Sequence, residues 1–95
     1  MTVQYLALIY VTNPEKLGQY REVAAGALSK HGGRVVAGLP KPEALEAKLD
    51  IPDITALLEF PSDENARAWR ADPDLIDVHA LRNDGGNSTI LKLPS

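Results

Sequence analysis

His31-Gly32-Gly33-Arg34-Val35-Val36 and Glu59-Phe60-Pro61-Ser62, the second followed closely by Ala66-Arg67-Ala68-Trp69, each mark a junction between a helix and a strand. At the first, a helix stops on two glycines, either able to take the left-handed conformation of a helix C-cap, and Arg34-Val35-Val36 begins a strand. At the second, a strand ends in Phe60, Pro61 cannot donate to a continuing ladder, and Ser62 offers a side-chain oxygen to cap the next helix. One strand-to-helix and one helix-to-strand transition so spaced point to alternating elements in a short chain.

Working outward, Val3 to Val11 is a strand that is apolar on both faces, with Leu6, Leu8 and Tyr10 on one and Tyr5, Ala7 and Ile9 on the other. A sheet covered on one side only would alternate polar and apolar, so a second cover is expected, and in so short a chain a second copy of the same sheet supplies it. Asn13 as N-cap, Pro14 in the first turn and Glu15 at the positive end of the dipole start a helix. Its Leu17, Tyr20, Ala24, Ala27, Leu28 and His31 share a face.

Arg34 to Gly38 is the second strand, and Leu39-Pro40-Lys41-Pro42 turns the chain away. Glu43 to Leu49 alternates charged and apolar residues, which predicts an exposed hairpin arm, a short helix being the competing assignment. Ile54 to Phe60 is a central strand and Ser62 to Ala71 a helix. Asp72-Pro73 restarts a helical segment through Leu81, Asn83-Asp84-Gly85-Gly86-Asn87 turns, and Thr89 to Leu93 is the last strand. The order β-α-β-β-α-β predicts an α+β, ferredoxin-like sandwich.

These segments, with Tyr20-Arg21 on the first helix, resemble a large uncharacterised family of small bacterial proteins in the dimeric α/β-barrel (ferredoxin-like) superfamily. The resemblance spans nearly the whole chain and rests on the Gly-Gly-Arg turn, the Glu-Phe-Pro-Ser strand end and the Ala-Arg-Ala-Trp helix together. It departs at Arg70, where the family usually has an aromatic, and at Leu75, where it has a tyrosine. The resemblance implies a homodimer with a cleft between sheet and helices that takes a small apolar or anionic molecule. It also implies chemistry of the kind its relatives perform, as cofactor-independent monooxygenases, lactone isomerases and small cyclases.

Composition narrows the classes further. At 95 residues the chain is one domain that buries roughly 60 to 65% of its unfolded surface, so a partner subunit would help it. Ten Lys and Arg against thirteen Asp and Glu leave a net charge of -3, with the basic residues scattered, which argues against nucleic acid. The absence of cysteine excludes disulfides, thiol catalysis and thiolate metal sites. The apolar run from Tyr5 to Val11 is far short of the ~20 residues of a membrane span, so a cytoplasmic protein with no membrane partner is expected.

Few residues can carry chemistry. Glu59 lies inside an otherwise apolar strand, where burial would raise its pKa toward that of a general base, the alternatives being an ion pair with Arg34 or Arg82 or exposure at the strand end. His31 ends the sheet-facing stripe of the first helix, as a cap on carbonyls or as a ligand group. His79 shares a face with Leu75 and Arg82, making either a proton-transfer group beside an anion anchor or a solvated pair. Tyr20 and Trp69 are amphipathic aromatics suited to fill core or line a cleft.

The candidate set is therefore Glu59, His79 and His31 for catalysis and Tyr20, Arg34, Trp69 and Arg82 for ligand binding. Glu59 is expected to share one internal cleft with at least one of Tyr20, His31, His79 and Arg82. Two distant histidines do not make a metal site, and no cofactor is expected. Some relatives in the superfamily bind haem through one histidine, but nothing in this sequence points to it. The rival function is a non-catalytic dimeric binding or accessory protein whose polar cleft residues are structural.

Overall fold

The computed structural model describes residues 2–94. Strand β1 (Val3–Val11) leads to helix α1 (Pro14–Lys30), then to strands β2 (Arg34–Pro40) and β3 (Ile54–Phe60). Helix α2 (Asp63–Ala71), a 3₁₀ turn (Pro73–Leu75), helix α3 (Ile76–Gly85) and strand β4 (Gly86–Lys92) complete the order. The strands form one antiparallel sheet in the order β2-β3-β1-β4, the α+β ferredoxin-like arrangement. Within one chain the sheet is open.

Local signals account for most boundaries. The Asn13 side chain accepts from the Lys16 amide at 3.1 Å, and the Ser62 hydroxyl accepts from the Asn65 amide at 3.2 Å. Helix α1 ends at Lys30, and the Gly32 and Gly33 amides donate to the Ser29 and Leu28 carbonyls. Gly32 takes φ +74°, the left-handed conformation expected of one of the two glycines. Gly33 is needed for a different reason: a Cβ there would lie 2.6 Å from a Phe60 ring carbon.

Two expectations are corrected. Glu43 to Leu49 forms neither a hairpin arm nor a helix; it runs as bends and irregular backbone, with Leu45 and Leu49 largely exposed. The alternation there has no strand to pair with, because the ladder between β2 and β3 closes at Pro40 opposite Ile54. The expected turn at Asn83 to Asn87 is instead the last turn of α3, and β4 begins directly at Gly86. The Gly85 carbonyl accepts from the amides of Thr12 and Asn13, which ties this junction to the start of α1.

Strand parity sorts the side chains. Tyr5, Ala7 and Ile9 of β1 and Ala56, Leu58 and Phe60 of β3 face the helices, where Phe60 is 1% exposed and packs against Ala27, Leu28, Ala66 and Trp69. The opposite face pairs Gln4 with Glu59, Leu6 with Leu57 and Leu91, and Leu8 with Thr55 and Thr89. No helix covers that face among the described residues; the irregular segment 42–52 borders it only at Leu8 and Thr55, so Leu6, Leu57 and Leu91 are left to another cover.

Candidate functional site

The helix-covered side of the sheet holds a buried polar cluster built from three elements. Trp69 comes from α2, His79 and Arg82 from α3, and Tyr20 from α1. Arg82, 2% exposed, is the centre: its guanidinium carbon lies 5.3 Å from the Trp69 ring centroid and 5.5 Å from that of Tyr20. Its Nη1 donates a long hydrogen bond of 3.5 Å to the Tyr20 hydroxyl, while its Nε is buried without a partner. No carboxylate among the described residues pairs with this guanidinium.

His79, 4% exposed, stands edge-on to Trp69 with ring centroids 4.7 Å apart. Its Nε2 lies 2.9 Å from the Trp69 carbonyl, which can only accept, so that nitrogen carries the proton and Nδ1 keeps a lone pair. Burial lowers the His79 pKa below its ordinary value, and the Arg82 and Arg70 charges lower it further, against the carbonyl bond. His79 is thus held neutral. The Nδ1 of His79 and the indole Nε1 of Trp69 are both buried without hydrogen-bond partners.

Two clefts meet at Arg82. One, of about 450 Å³, opens between α2, α3 and β4 and is lined by Tyr5, Phe60, Trp69, Arg82 and Ile90 together with Arg67, Arg70 and Lys92. No carboxylate is among its lining residues. The other, of about 250 Å³, lies beneath α1 against β2 and β3, with walls of Ile9, Leu17, Leu28 and Leu58 and with Tyr20, Arg21, Thr55 and Arg82 as polar groups. Beside the first cleft, the Tyr5 hydroxyl donates to Asp63, which also bonds Arg67 Nε at 2.8 Å and has Lys92 Nζ at 3.5 Å. The Tyr5 hydrogen bond and Arg67 hold the Asp63 carboxyl down to about 2.

From the sequence, Glu59 is expected to share one internal cleft with at least one of Tyr20, His31, His79 and Arg82. The structure instead gathers Tyr20, Trp69, His79 and Arg82, with Trp69 and Arg82 lining the first cleft, Tyr20 and Arg82 the second, and His79 behind Trp69 lining neither. It separates the other three candidates. Glu59 faces away from the helices: it pairs with Arg34 at 2.9 Å and accepts from Gln4 Nε2 at 3.3 Å on the uncovered face, so it shares no internal cleft with the cluster. Arg34 goes with it. His31 lines neither cleft; its Nε2 bonds Asp72 at 2.8 Å, beside Lys30 at 2.7 Å on the same oxygen. That trio clamps the end of α1 to the start of the 3₁₀ turn, which Asp72 also caps through the Asp74 amide.

Residues missed from the sequence are Tyr5, Arg67, Arg70 and Lys92. Parity was the available signal for the first, since Tyr5 shares the face of the buried Ala7 and Ile9, and Lys92 is its partner across β4. The described residues contain no group of three or more His, Cys, Asp or Glu side chains able to hold a metal ion. They contain no helix long and apolar enough to cross a membrane.

A four-stranded antiparallel sheet in the order β2-β3-β1-β4 with its helices on one face is the ferredoxin-like α+β fold. The chain belongs to the DUF1330 family, a domain of unknown function, whose pattern it matches over residues 3–93. No protein of curated function matches it by sequence. Among solved structures, it is similar to the methylated RPA0582 protein (Rhodopseudomonas palustris), with TM-score 0.80 and 18% identity over 99% of this chain and 80% of that one. It is similar also to SnoaB, a cofactor-independent oxygenase from Streptomyces nogalater, with TM-score 0.72 and 12% identity over 99% and 92% of the two chains. A dimeric ferredoxin-like protein of unknown function from Jannaschia sp. CCS1 matches with TM-score 0.71 and 12% identity over the full length of both. These likenesses establish the shared fold.

Proposed function

We propose that this protein binds a small organic anion in the cleft at Arg82, as a homodimer of single-domain chains. The observation that carries this reading is the Arg82 guanidinium, buried to 2% exposure with no carboxylate partner among the described residues and an unpartnered Nε. An isolated buried charge is costly, and a fold retains one where an opposite charge arrives to compensate it. Arg70 has no ion-pair partner among the described residues, and Arg67 and Lys92 share the single carboxylate of Asp63. The rim of the cleft therefore keeps an excess of positive charge that raises the local concentration of an anion, while Phe60 and Trp69 supply apolar wall.

The homodimer rests on the uncovered sheet face. Leu6, Leu8, Leu57 and Leu91 lie there together, and a second copy laid face to face would cover them and join two open sheets into a barrel. The relative from Jannaschia is described as dimeric. Such an interface should exceed ~1,000 Å² in total.

A second reading makes the protein a cofactor-independent enzyme of monooxygenase, isomerase or cyclase type. It is favoured by the position of Arg82, which in a water-poor site would stabilise a developing enolate or phenolate, and by the fold shared with the Streptomyces oxygenase. Neither cleft is lined by a carboxylate or a histidine, so this reading requires a substrate that ionises readily by itself.

The test uses Trp69, the chain's single tryptophan, as a reporter at the cleft wall. Benzoate and salicylate titrated into the protein should change its fluorescence, with affinity at least tenfold weaker in Arg82→Met and partly restored in Arg82→Lys. Equal affinity in the native and Arg82→Met proteins would refute the anion-binding reading. Oxygen uptake with an added phenolate, dependent on Arg82, would establish the enzymatic one.

A further inference from the structure

We infer that the ligand is amphiphilic: an anionic head in the cationic cleft and an apolar arm, alkyl or a single ring, passing Arg82 into the chamber beneath α1. This rests on the anion-binding reading above and adds the ligand's shape and chemical class. The two clefts are unlike each other and share Arg82 and Ile90 as lining residues. One carries Arg67, Arg70 and Lys92, and the other is walled mainly by aliphatic side chains of α1 and the sheet. The Arg82 guanidinium lies between the Trp69 ring, which lines the first, and the Tyr20 ring, which lines the second.

The second chamber exists because α1 packs chiefly along α3 rather than down on β2 and β3. Gly85 sets that arrangement, since a Cβ there would lie 2.7 Å from the Leu17 amide nitrogen. With α1 drawn to α3, small side chains at Ala24 and Ala25 leave room over Val35, Gly38 and Ala56. At about 250 Å³, the chamber holds on the order of eight water-sized groups of ~30 Å³ each, the size of a short alkyl chain or one aromatic ring.

A simple organic anion would use only the first cleft and Arg82. An amphiphile uses both. Its charge meets the guanidinium at the junction, and its arm lies on the buried floor of Ile9, Leu17, Leu28 and Leu58 and covers from water the exposed part of the lining, chiefly Val35, Ala25 and Pro40. Tyr20, at the junction through its 3.5 Å contact with Arg82, would accommodate the first atoms of the arm.

The experiment is a series of straight-chain carboxylates, butanoate, hexanoate, octanoate and decanoate, titrated against Trp69 fluorescence below their micellar concentrations. Affinity should tighten roughly three- to four-fold per added methylene until the chamber is filled and then level off. In Ala24→Phe, which places a ring in the chamber, the gain with length should vanish while butanoate binding is kept. Ala25→Phe repeats the test from the adjoining position, with circular dichroism confirming that each variant is folded. A flat series that still depends on Arg82 would overturn the amphiphile inference and leave the anion-binding reading standing. A length dependence that survives both phenylalanine variants would likewise overturn it, placing the arm elsewhere. Failure of every carboxylate and of benzoate to bind would overturn both.

Discussion

Replacing Gly33 by alanine should destabilise this protein more than the same change at Gly32, although only Gly32 is left-handed. At Gly32, alanine incurs the left-handed penalty of roughly 1 to 2 kcal/mol, and its methyl would meet Pro61 Cγ at 2.9 Å, an exposed ring able to shift. At Gly33, the methyl would meet Phe60 at 2.6 and 2.8 Å and the Leu28 carbonyl at 3.2 Å, the same carbonyl that accepts the Gly33 amide at 2.8 Å. Phe60 is 1% exposed and wedged against Tyr5 and Trp69, with ring centroids at 6.0 and 5.6 Å, so it has nowhere to retreat. Overpacking of this kind costs about 1 to 3 kcal/mol, and the closeness of both contacts places Gly33→Ala at the upper end. Urea unfolding at one fixed protein concentration measures the loss for each variant. The decisive comparison adds Phe60→Leu: shortening the ring should relieve the clash, so that the double variant is more stable than the sum of the single losses predicts by about 1 kcal/mol. Strict additivity, or a Gly33→Ala loss smaller than that of Gly32→Ala, would refute the packing account of this junction.

Three further outcomes follow from the site and the uncovered face. Because burial depresses the pKa of His79, the unfolded chain takes up a proton near pH 6.5 that the folded one refuses, so His79 contributes stability that is full above pH 6.5 and lost as pH falls below it. Arg82, Arg70 and Asp72 are the charges that bear on this histidine, and His79→Phe should flatten the melting temperature between pH 5.5 and 8 while the native protein loses stability toward pH 5.5. Arg82→Met, which removes a buried cation with no carboxylate partner among the described residues, should raise the stability measured in urea by about 1 kcal/mol even as it weakens anion binding; a loss of about 2 kcal/mol or more would show the guanidinium to be a structural group. Leu6→Asp, on the uncovered face, should convert a dimer into monomer or aggregate by sedimentation velocity, and an unchanged dimer would exclude that face as the interface.

What the amino-acid sequence determined by itself is whatever acts within a few residues. Asn13 and Pro14, Ser62 after Pro61, and Gly32 after His31 place helix ends because capping and backbone preference need no distant partner. Strand parity was equally legible, since a period of two puts Ala7 and Ile9 together whatever the rest of the chain does. Tertiary structure alone decided which parity the helices would cover. That choice sent Glu59 to the open face and into its pair with Arg34, although its strand reads as apolar on either side. It also decided that Glu43 to Leu49 would find no strand to pair with, for alternation is a necessary condition for a strand and a ladder partner is the other. Arg82 shows the limit most plainly. In the sequence it is one of ten Lys and Arg residues, and it becomes a buried cation with no carboxylate partner among the described residues only because Gly85 lets α1 and α3 close together while the rings of Tyr20 and Trp69, from two other helices, approach its guanidinium. Burial is a property of contacts between residues far apart in sequence, and no local pattern encodes it.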